Sequence, residues 1–432
     1  MSNTKKPRNP DHVRRTSTPT VSNEVVEKRL TSLLSPAVFG QWAYFRELNL
    51  RNRILGLPVM LAAVLTMLYR QVPSVCELTR LICRENFLWS HPVKVTQQAL
   101  SKRFLAFPAQ IFRRVFLDLL PSLRERALQR TRPQPDSIVM AEQYFSRIFA
   151  VDGSTLEALF RKLKALKDMP RGTLAGKICT VIDIAIHLPV QTWYTPEPLS
   201  NDTNFIENIL AFAKTKTLWI FDRGFYDFDF FSKLIEQGAS WITRLKSNTK
   251  YKVKKVLLKT PNVRDRIIQL TGKEGCFHFL RLVEVRFGRN WYRYLTSVTD
   301  PSILPPQVIA DLYRRRWRIE EAFLIVKRIL CMSYLWVGSE NGVLLQVWAT
   351  WLFYVTLVDL GDAVAEQLMV PFDRISLEMA FRGLYHFSVA YEKGKAKDPV
   401  KYLSAPENRD LGVLKRFRKS TKKFQFHLDQ IT

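Results

Sequence analysis

Cysteine and histidine are scarce in this chain, and acidic residues are outnumbered. Of 432 residues, five are Cys and six are His. Cys76, Cys83, Cys179, Cys276 and Cys331 form no CxxC pair, and only Cys276 has an imidazole close by, at His278. That scatter excludes a disulfide framework and makes a zinc site unexpected; buried thiols in a reducing compartment are the expectation. The opening residues carry charge without an apolar run, so no secretory signal is expected. Long uninterrupted hydrophobic stretches are missing too. Residues 54–68 are interrupted by Gly56 and Pro58 and are too short to span a bilayer. Residues 343–360 come nearer, but Gln346, Thr350, Thr356 and Asp359 recur through them, which predicts a buried helix of a large folded domain and no membrane partner.

The acidic deficit is large. Lys and Arg number 66 against 39 Asp and Glu, leaving a formal charge of +27 on a chain that is 47% hydrophobic and 12% aromatic. Such a composition describes a folded protein, long enough for two to four domains, built to meet a polyanion. Nucleic acid is the first candidate and an anionic membrane surface the second.

Residues 1–22 combine Lys5, Lys6, Arg8, Arg14 and Arg15 with Ser, Thr, Pro and Asn and read as a disordered basic arm. Residues 23–140 read as helical, with breaks near Pro36, Pro73 and Pro92. Ser74 is placed to cap a helix ending near Arg84, and Thr96 another carrying Gln97, Gln98, Ser101, Lys102 and Arg103. This pair is either a helix-turn-helix reader of DNA or part of an ordinary bundle. Residues 131–136 read as a linker.

From residue 141 the pattern changes. An apolar strand ends on Asp152, residues 177–188 and 191–194 follow as strands, and residues 204–214 as a helix. A second buried strand begins at Thr217 and ends on Asp222, before Arg223, Gly224 and Phe225; a helix and another strand reach Lys246. That order is the order of a ribonuclease H-like α/β core, residues 141–250 and 301–362, in which the first and fourth strands adjoin. Asp followed by glycine is also ordinary turn chemistry, so each aspartate alone has a second reading. Residues 251–300 alternate with period two and read as a β insertion rich in Lys and Arg, and residues 363–432 as a helical, basic C-terminal region. Its run Lys415, Arg416, Arg418 and Lys419 reads equally as a DNA or subunit contact and as a solvated tail.

Residues 304–330 read as one helix. At about 100° per residue, Tyr313, Arg316, Glu320 and Lys327 fall within roughly 60° of one another. Leu312, Ile319, Phe323, Val326 and Leu330 form an adjoining apolar stripe. A solvated face of ion pairs accounts for the charges equally well. The spacing decides between the readings: Tyr313, two residues, Arg316, three residues, Glu320, six residues, Lys327 resembles the signature of the insertion sequence four family of DDE transposases. The wording around Asp222 to Phe225 is similar to that family's as well.

The resemblance implies a cut-and-paste transposase acting on double-stranded DNA, at inverted-repeat ends and at target sites, in the cytoplasm of a bacterium or archaeon. It implies Asp152, Asp222 and Glu320 as catalytic metal ligands and Tyr313, Arg316 and Lys327 as phosphate contacts. Hard oxygen donors without sulfur or imidazole point to two Mg²⁺ ions, with Mn²⁺ a substitute. Glu321 is turned about 100° from the signature face and is the poorer ligand. A synaptic homodimer, a hairpin intermediate, an N-terminal end-recognition domain and a base-stacking aromatic on the last insertion strand are likewise implied. Trp291 and Tyr292 both qualify for that last role, on opposite faces of the strand. Two other readings stand beside this one: a transposase-derived DNA-binding protein that does not cut, and a structure-selective nuclease of the same fold.

Overall fold

The computed structural model describes residues 23–50, 52–157, 174–271, 277–329 and 339–416. Helices fill the first part: α1 (Glu24–Phe39), α2 (Trp42–Glu47), α3 (Leu57–Tyr69), α4 (Val75–Arg84), α5 (Gln97–Ala106), α6 (Ala109–Gln129) and α7 (Asp136–Glu142). Two starts follow from single side chains. Ser74 Oγ accepts from the Glu77 amide at 3.1 Å and Thr96 Oγ1 from the Ala99 amide at 3.2 Å, satisfying donors that a helix end leaves open. The break expected at Pro36 does not occur. Pro36 lies in the last turn of α1, so its missing N–H removes one bond without stopping the helix, and its own carbonyl accepts from Gly40 at 3.0 Å. α4 and α5 pack together, but residues 85–96 between them hold a Phe87–Ser90 bridge, a longer connection than the three- or four-residue turn of a helix-turn-helix.

The strands follow as β1 (Arg147–Glu157), β2 (Leu174–Asp183) and β3 (Leu188–Thr195); then come α8 (Ile206–Phe212), β4 (Thr217–Phe221), α9 (Phe228–Glu236) and β5 (Ser240–Arg244). The single strand expected over residues 177–188 turns back after Asp183, with His187 in the left-handed region at φ 61°. Four more strands, β6 (Lys252–Lys259), β7 (Val263–Thr271), β8 (Phe277–Phe287) and β9 (Asn290–Thr296), complete one nine-stranded sheet of order β3-β2-β1-β4-β5-β9-β8-β7-β6. The insertion therefore extends the central sheet, β9 pairing antiparallel with β5 through Ile242 and Thr296.

The sheet separates two apolar layers. Ile148, Ala150, Leu218, Ile220 and Ile242 face one; Phe149, Val151, Trp219, Phe221 and Trp241 face the other, under α8 and α9. In the second layer the ring of Phe231 stacks on Trp241 at 4.1 Å between centroids.

Beyond β9 run α10 (Pro306–Arg315), α11 (Arg318–Leu324), a π-helical turn (Ile325–Ile329), α12 (Glu340–Gln367), α13 (Leu377–Glu392) and α14 (Pro399–Ser404). The one helix expected over residues 304–330 is thus broken. At the break the amides of Arg316, Trp317 and Ile319 reach back three residues instead of four, to Tyr313, Arg314 and Arg316. Leu330 lies outside the described residues. α12 is long and apolar enough to cross a membrane, yet 94% of its most apolar window is buried, against α6, α3 and α14. Of residues 131–136, Asp136 already opens α7 and the rest are irregular but not slack: buried Arg132 pairs with Asp362, and Arg130 reaches Asp359 and Asp362 at 2.7 and 2.9 Å. Among the described cysteines, Cys179 is buried and free, while Cys76 and Cys83 are half-buried and free.

Candidate active site

The register of two adjacent strands sets the site. β1 and β4 run parallel with Val151 beside Phe221, so the next residues, Asp152 and Asp222, stand at one level. The strand expected to end on Asp152 does not: β1 runs on to Glu157, because β2 continues to pair with it through Thr180, Cys179 and Ile178, and only Asp222 lies just past its strand. Alternation turns Asp152 to the face that carries Ile148 and Ala150, where α11 packs on β1. The break before α11 then directs Arg316 inward: its side chain is 6% exposed.

Three acids meet that guanidinium. Arg316 Nη1 lies 2.8 Å from Asp152 Oδ2, while Nη2 lies 3.2 Å from Glu320 Oε1 and 3.6 Å from Asp222 Oδ1. Burial raises the Asp152 carboxyl to about 6, the neighbouring charges of Asp222 and Glu320 adding to it and Arg316 opposing. Arg316 itself is held above its ordinary value, the surrounding carboxylates outweighing its desolvation. Tyr313 donates to Asp222 Oδ1 at 3.4 Å, and burial pushes its phenol up to about 12. Lys327, on the π-helical turn, donates to Ser154 Oγ at 2.7 Å, two residues past Asp152. Tyr313, Arg316, Glu320 and Lys327 therefore all reach the level at which β1 and β4 part, although the helix that carries them is interrupted. Glu321 turns elsewhere, to Arg318 at 2.6 Å and Lys415 at 3.6 Å.

Of the two insertion aromatics, Tyr292 shares a strand face with Tyr294, whose ring lies 5.4 Å from that of Tyr313. The Arg244 guanidinium sits 5.5 Å from the Tyr292 ring centroid. Trp291 points to the opposite face, with Arg264 4.4 Å from its ring. Two residues near the acids escaped sequence reasoning. Trp317, 57% exposed directly after Arg316, is turned outward by the helix break. Asp202, in the short 3-10 turn Asp202–Phe205, lies against Gly153 and Gly224.

The donor set suits a hard divalent cation: three carboxylates, two of them partly exposed, with the Arg316 guanidinium already occupying the point where a positive charge meets all three. Among the described residues no three acidic, imidazole or thiol groups are drawn together as a ready-made metal cage. Asp152, Asp222 and Glu320 therefore suit such an ion by their donor chemistry, with Arg316 standing among them in this structure.

By fold and site this is a mixed α/β domain that gathers carboxylates from within one strand, from just past its neighbour and from a helix. Residues 143–354, a little under half of the chain, match the family described as the transposase DDE domain. It is 28% identical over 164 residues to a probable transposase for insertion sequence element IS5377 of Geobacillus stearothermophilus, covering 37% of this chain and 44% of that protein. It is 27% identical over 146 residues to the putative transposase y4zB of Sinorhizobium fredii (32% and 41% covered) and 22% over 228 residues to the transposase for insertion sequence element IS1151 of Clostridium perfringens (49% and 45%). The match spans less than half the length of each of these relatives. A piggyBac transposase, solved as a synaptic complex with hairpin DNA, aligns over 91% of this chain and 80% of its own at 11% identity and a TM-score of 0.34.

Proposed function

We propose that this chain is a DNA transposase of the insertion sequence four family, with a ribonuclease H-like core, that excises an element at its ends and joins it to target DNA. The observation that carries the reading is the meeting of Asp152, Asp222 and Glu320 around one guanidinium, inside the region that matches the DDE domain. These carboxylates would hold Mg²⁺, or Mn²⁺ in its place. Such ions, when bound, would supply activation of the attacking water or 3′-hydroxyl and stabilisation of the departing oxygen.

The chain's own residues supply grip and orientation. Arg316 and Lys327 hold phosphates beside the scissile bond, and the Tyr313 hydroxyl, kept protonated by its surroundings, donates to one. Tyr292 and the exposed Trp317 offer faces for bases opened out of the duplex. Lys252, Lys254, Lys255 and Lys259, exposed on the edge strand β6, lie along the backbone. The N-terminal helices hold the element end, and a homodimer cuts each end from the opposite subunit. In the order that the family resemblance implies, a nick frees a 3′-hydroxyl, the hydroxyl attacks the opposite strand to close a hairpin, and the reopened end is transferred. The work takes place beside the host's DNA, inside a bacterial or archaeal cell.

The test uses the full chain and duplexes bearing the element's inverted repeats. Asp152→Ala, Asp222→Ala and Glu320→Ala each abolish Mg²⁺-dependent nicking while end binding persists; cutting retained by any of the three overturns the reading. No nicking by the unmodified chain would leave a DNA-binding protein derived from a transposase. Cleavage indifferent to end sequence would leave a structure-selective nuclease.

A further inference from the structure

Gly153, inside β1, and Gly224, in the turn after β4, each follow one of the two aspartates closely, and neither has a positive φ. Conformation therefore does not call for glycine at either place. Space does. A Cβ on Gly153 would stand 2.1 Å from Asp202 Oδ1 and 2.9 Å from Lys177 Cε, and a Cβ on Gly224 would stand 2.5 Å from Asp202 Oδ2. One carboxylate thus presses on the backbone of β1 and of the turn after β4. Its place is held from behind. Lys177 Nζ pairs with Asp202 Oδ1 at 2.7 Å and donates to the Ser200 carbonyl at 2.7 Å, so the ammonium ties the aspartate to its own turn. Both side chains are largely covered, 12% and 21% exposed. Strand alternation gives the side of Gly153 that meets Asp202 to the sheet face opposite the one Asp152 uses.

We propose that Asp202 is a positioning residue: wedged between Gly153 and Gly224 and anchored by Lys177, it sets the spacing of the two backbone segments, inside β1 and just past β4, that carry Asp152 and Asp222. The role rests on the metal-dependent reading above and deepens it, since two carboxylates from separate strands share ions only at one narrow range of separations. Asp202 acts from the far side of the backbone and does not compete for the ions. With a smaller side chain there, β1 and β4 still pair through Val151 and Phe221, but the backbone beyond that pair loses its common stop.

A double-mutant cycle tests the contact, and metal binding tests its consequence. In the full-length chain, Gly153→Ala and Gly224→Ala each lower Tm when Asp202 is present and change it little in the Asp202→Ala background. Asp202→Ala alone keeps a cooperative melt but binds Mn²⁺ about 10–100-fold more weakly, the loss ordinarily seen when a group supporting metal ligands is removed; paramagnetic relaxation of water protons reads this without any cleavage assay. Additive glycine and aspartate effects on Tm overturn the wedge. Mn²⁺ affinity that depends on Asp152 but not on Asp202 overturns the positioning role alone. Affinity indifferent to Asp152→Ala sinks the metal reading itself, and this role with it.

Discussion

Arg316 Nη1 meets Asp152 Oδ2 at 2.8 Å across 164 residues of sequence, and the same buried guanidinium is shared with Asp222 and Glu320. It is the nearest compensating charge for three acids held together. Arg316→Ala leaves those acids repelling one another in a partly covered site, where Coulomb terms are stronger than in bulk water. The variant is expected to melt below the unmodified protein in EDTA and to gain more Tm from added Mg²⁺, because an ion that binds only the folded state then relieves more repulsion. Differential scanning fluorimetry across a Mg²⁺ series measures both; equal Mg²⁺ shifts in the two proteins would count against it.

Lys327 is held over the end of β1 by its bond to Ser154, which points its ammonium along the margin where the acids lie. If that ammonium takes a phosphate, Lys327→Gln weakens DNA binding about equally for every sequence and lowers the slope of log K against log salt by about 1. Fluorescence anisotropy at several salt concentrations gives the slope. A slope identical to that of the unmodified chain removes Lys327 from the interface.

Tyr292 and Trp291 make opposite predictions. The face shared with Tyr294, next to Tyr313, belongs to Tyr292, whereas Trp291 is covered by Arg264 on the other side. Tyr292→Ala is expected to lose the fluorescence rise of 2-aminopurine placed at the terminal bases of an end duplex, and Trp291→Ala to keep it. The reverse pattern would assign the stacking role to Trp291.

How far the sequence foretold this site depends on the range of the interactions. Asp152 and Asp222 were legible because an apolar run stops on each, and Ser74 and Thr96 because an N-cap is a contact over three residues. The helix break at Arg316 was not. Residues 314–318 contain no glycine or proline, and the shift to three-residue hydrogen bonds accompanies the packing of α11 on β1, a contact between distant parts of the chain. The joining of β9 to β5 is long-range in the same way: strand alternation revealed the insertion's strands but not which edge they extend. Asp202 belongs to no motif that spacing reveals. Its signal was indirect, two glycines beside the two aspartates at positions that need no positive φ. The expected arm at residues 1–22 and the basic run beyond residue 416 lie outside the described residues.

Arg281 is fully buried and ion-paired with Asp265 at 2.6 Å, and its Nη1 also donates to the Leu304 carbonyl at 2.8 Å, just before α10. One side chain so ties β7 and β8 to the segment that leads into Tyr313 and Arg316. Arg281→Met removes the charge and leaves Asp265 buried without its partner, which costs about 3–5 kcal/mol. Asp265→Asn with Arg281→Met is expected to recover part of that loss, since no uncompensated charge is left. Urea denaturation measures both; a single variant as stable as the parent would show that the pair does not hold the insertion in place.

His187 closes the β2–β3 turn with its ring stacked 4.3 Å from that of Phe372, facing Asp373, Arg318, Arg132 and Arg315. Burial lowers its pKa from 6.5 to about 3, the pull of Asp373 notwithstanding. The folded ring stays neutral where the unfolded ring takes a proton, so His187 stabilises the fold fully above about pH 6.5 and loses that contribution as pH falls toward 3. Asp183 works in the other direction. Burial raises it to about 6 against its pairing with Arg124, so its contribution is present below its ordinary 3.8 and is lost as pH rises through 6. Between pH 4 and 6 the two slopes oppose. His187→Asn, a residue that tolerates the left-handed backbone, removes only the first. The stability difference between variant and parent should then change by about 1.4 kcal/mol per pH unit over that range, the parent losing ground as the pH drops. Urea unfolding at pH 4, 5 and 6 measures it, and a difference that does not move with pH would mean that His187 titrates alike in the folded and unfolded chains.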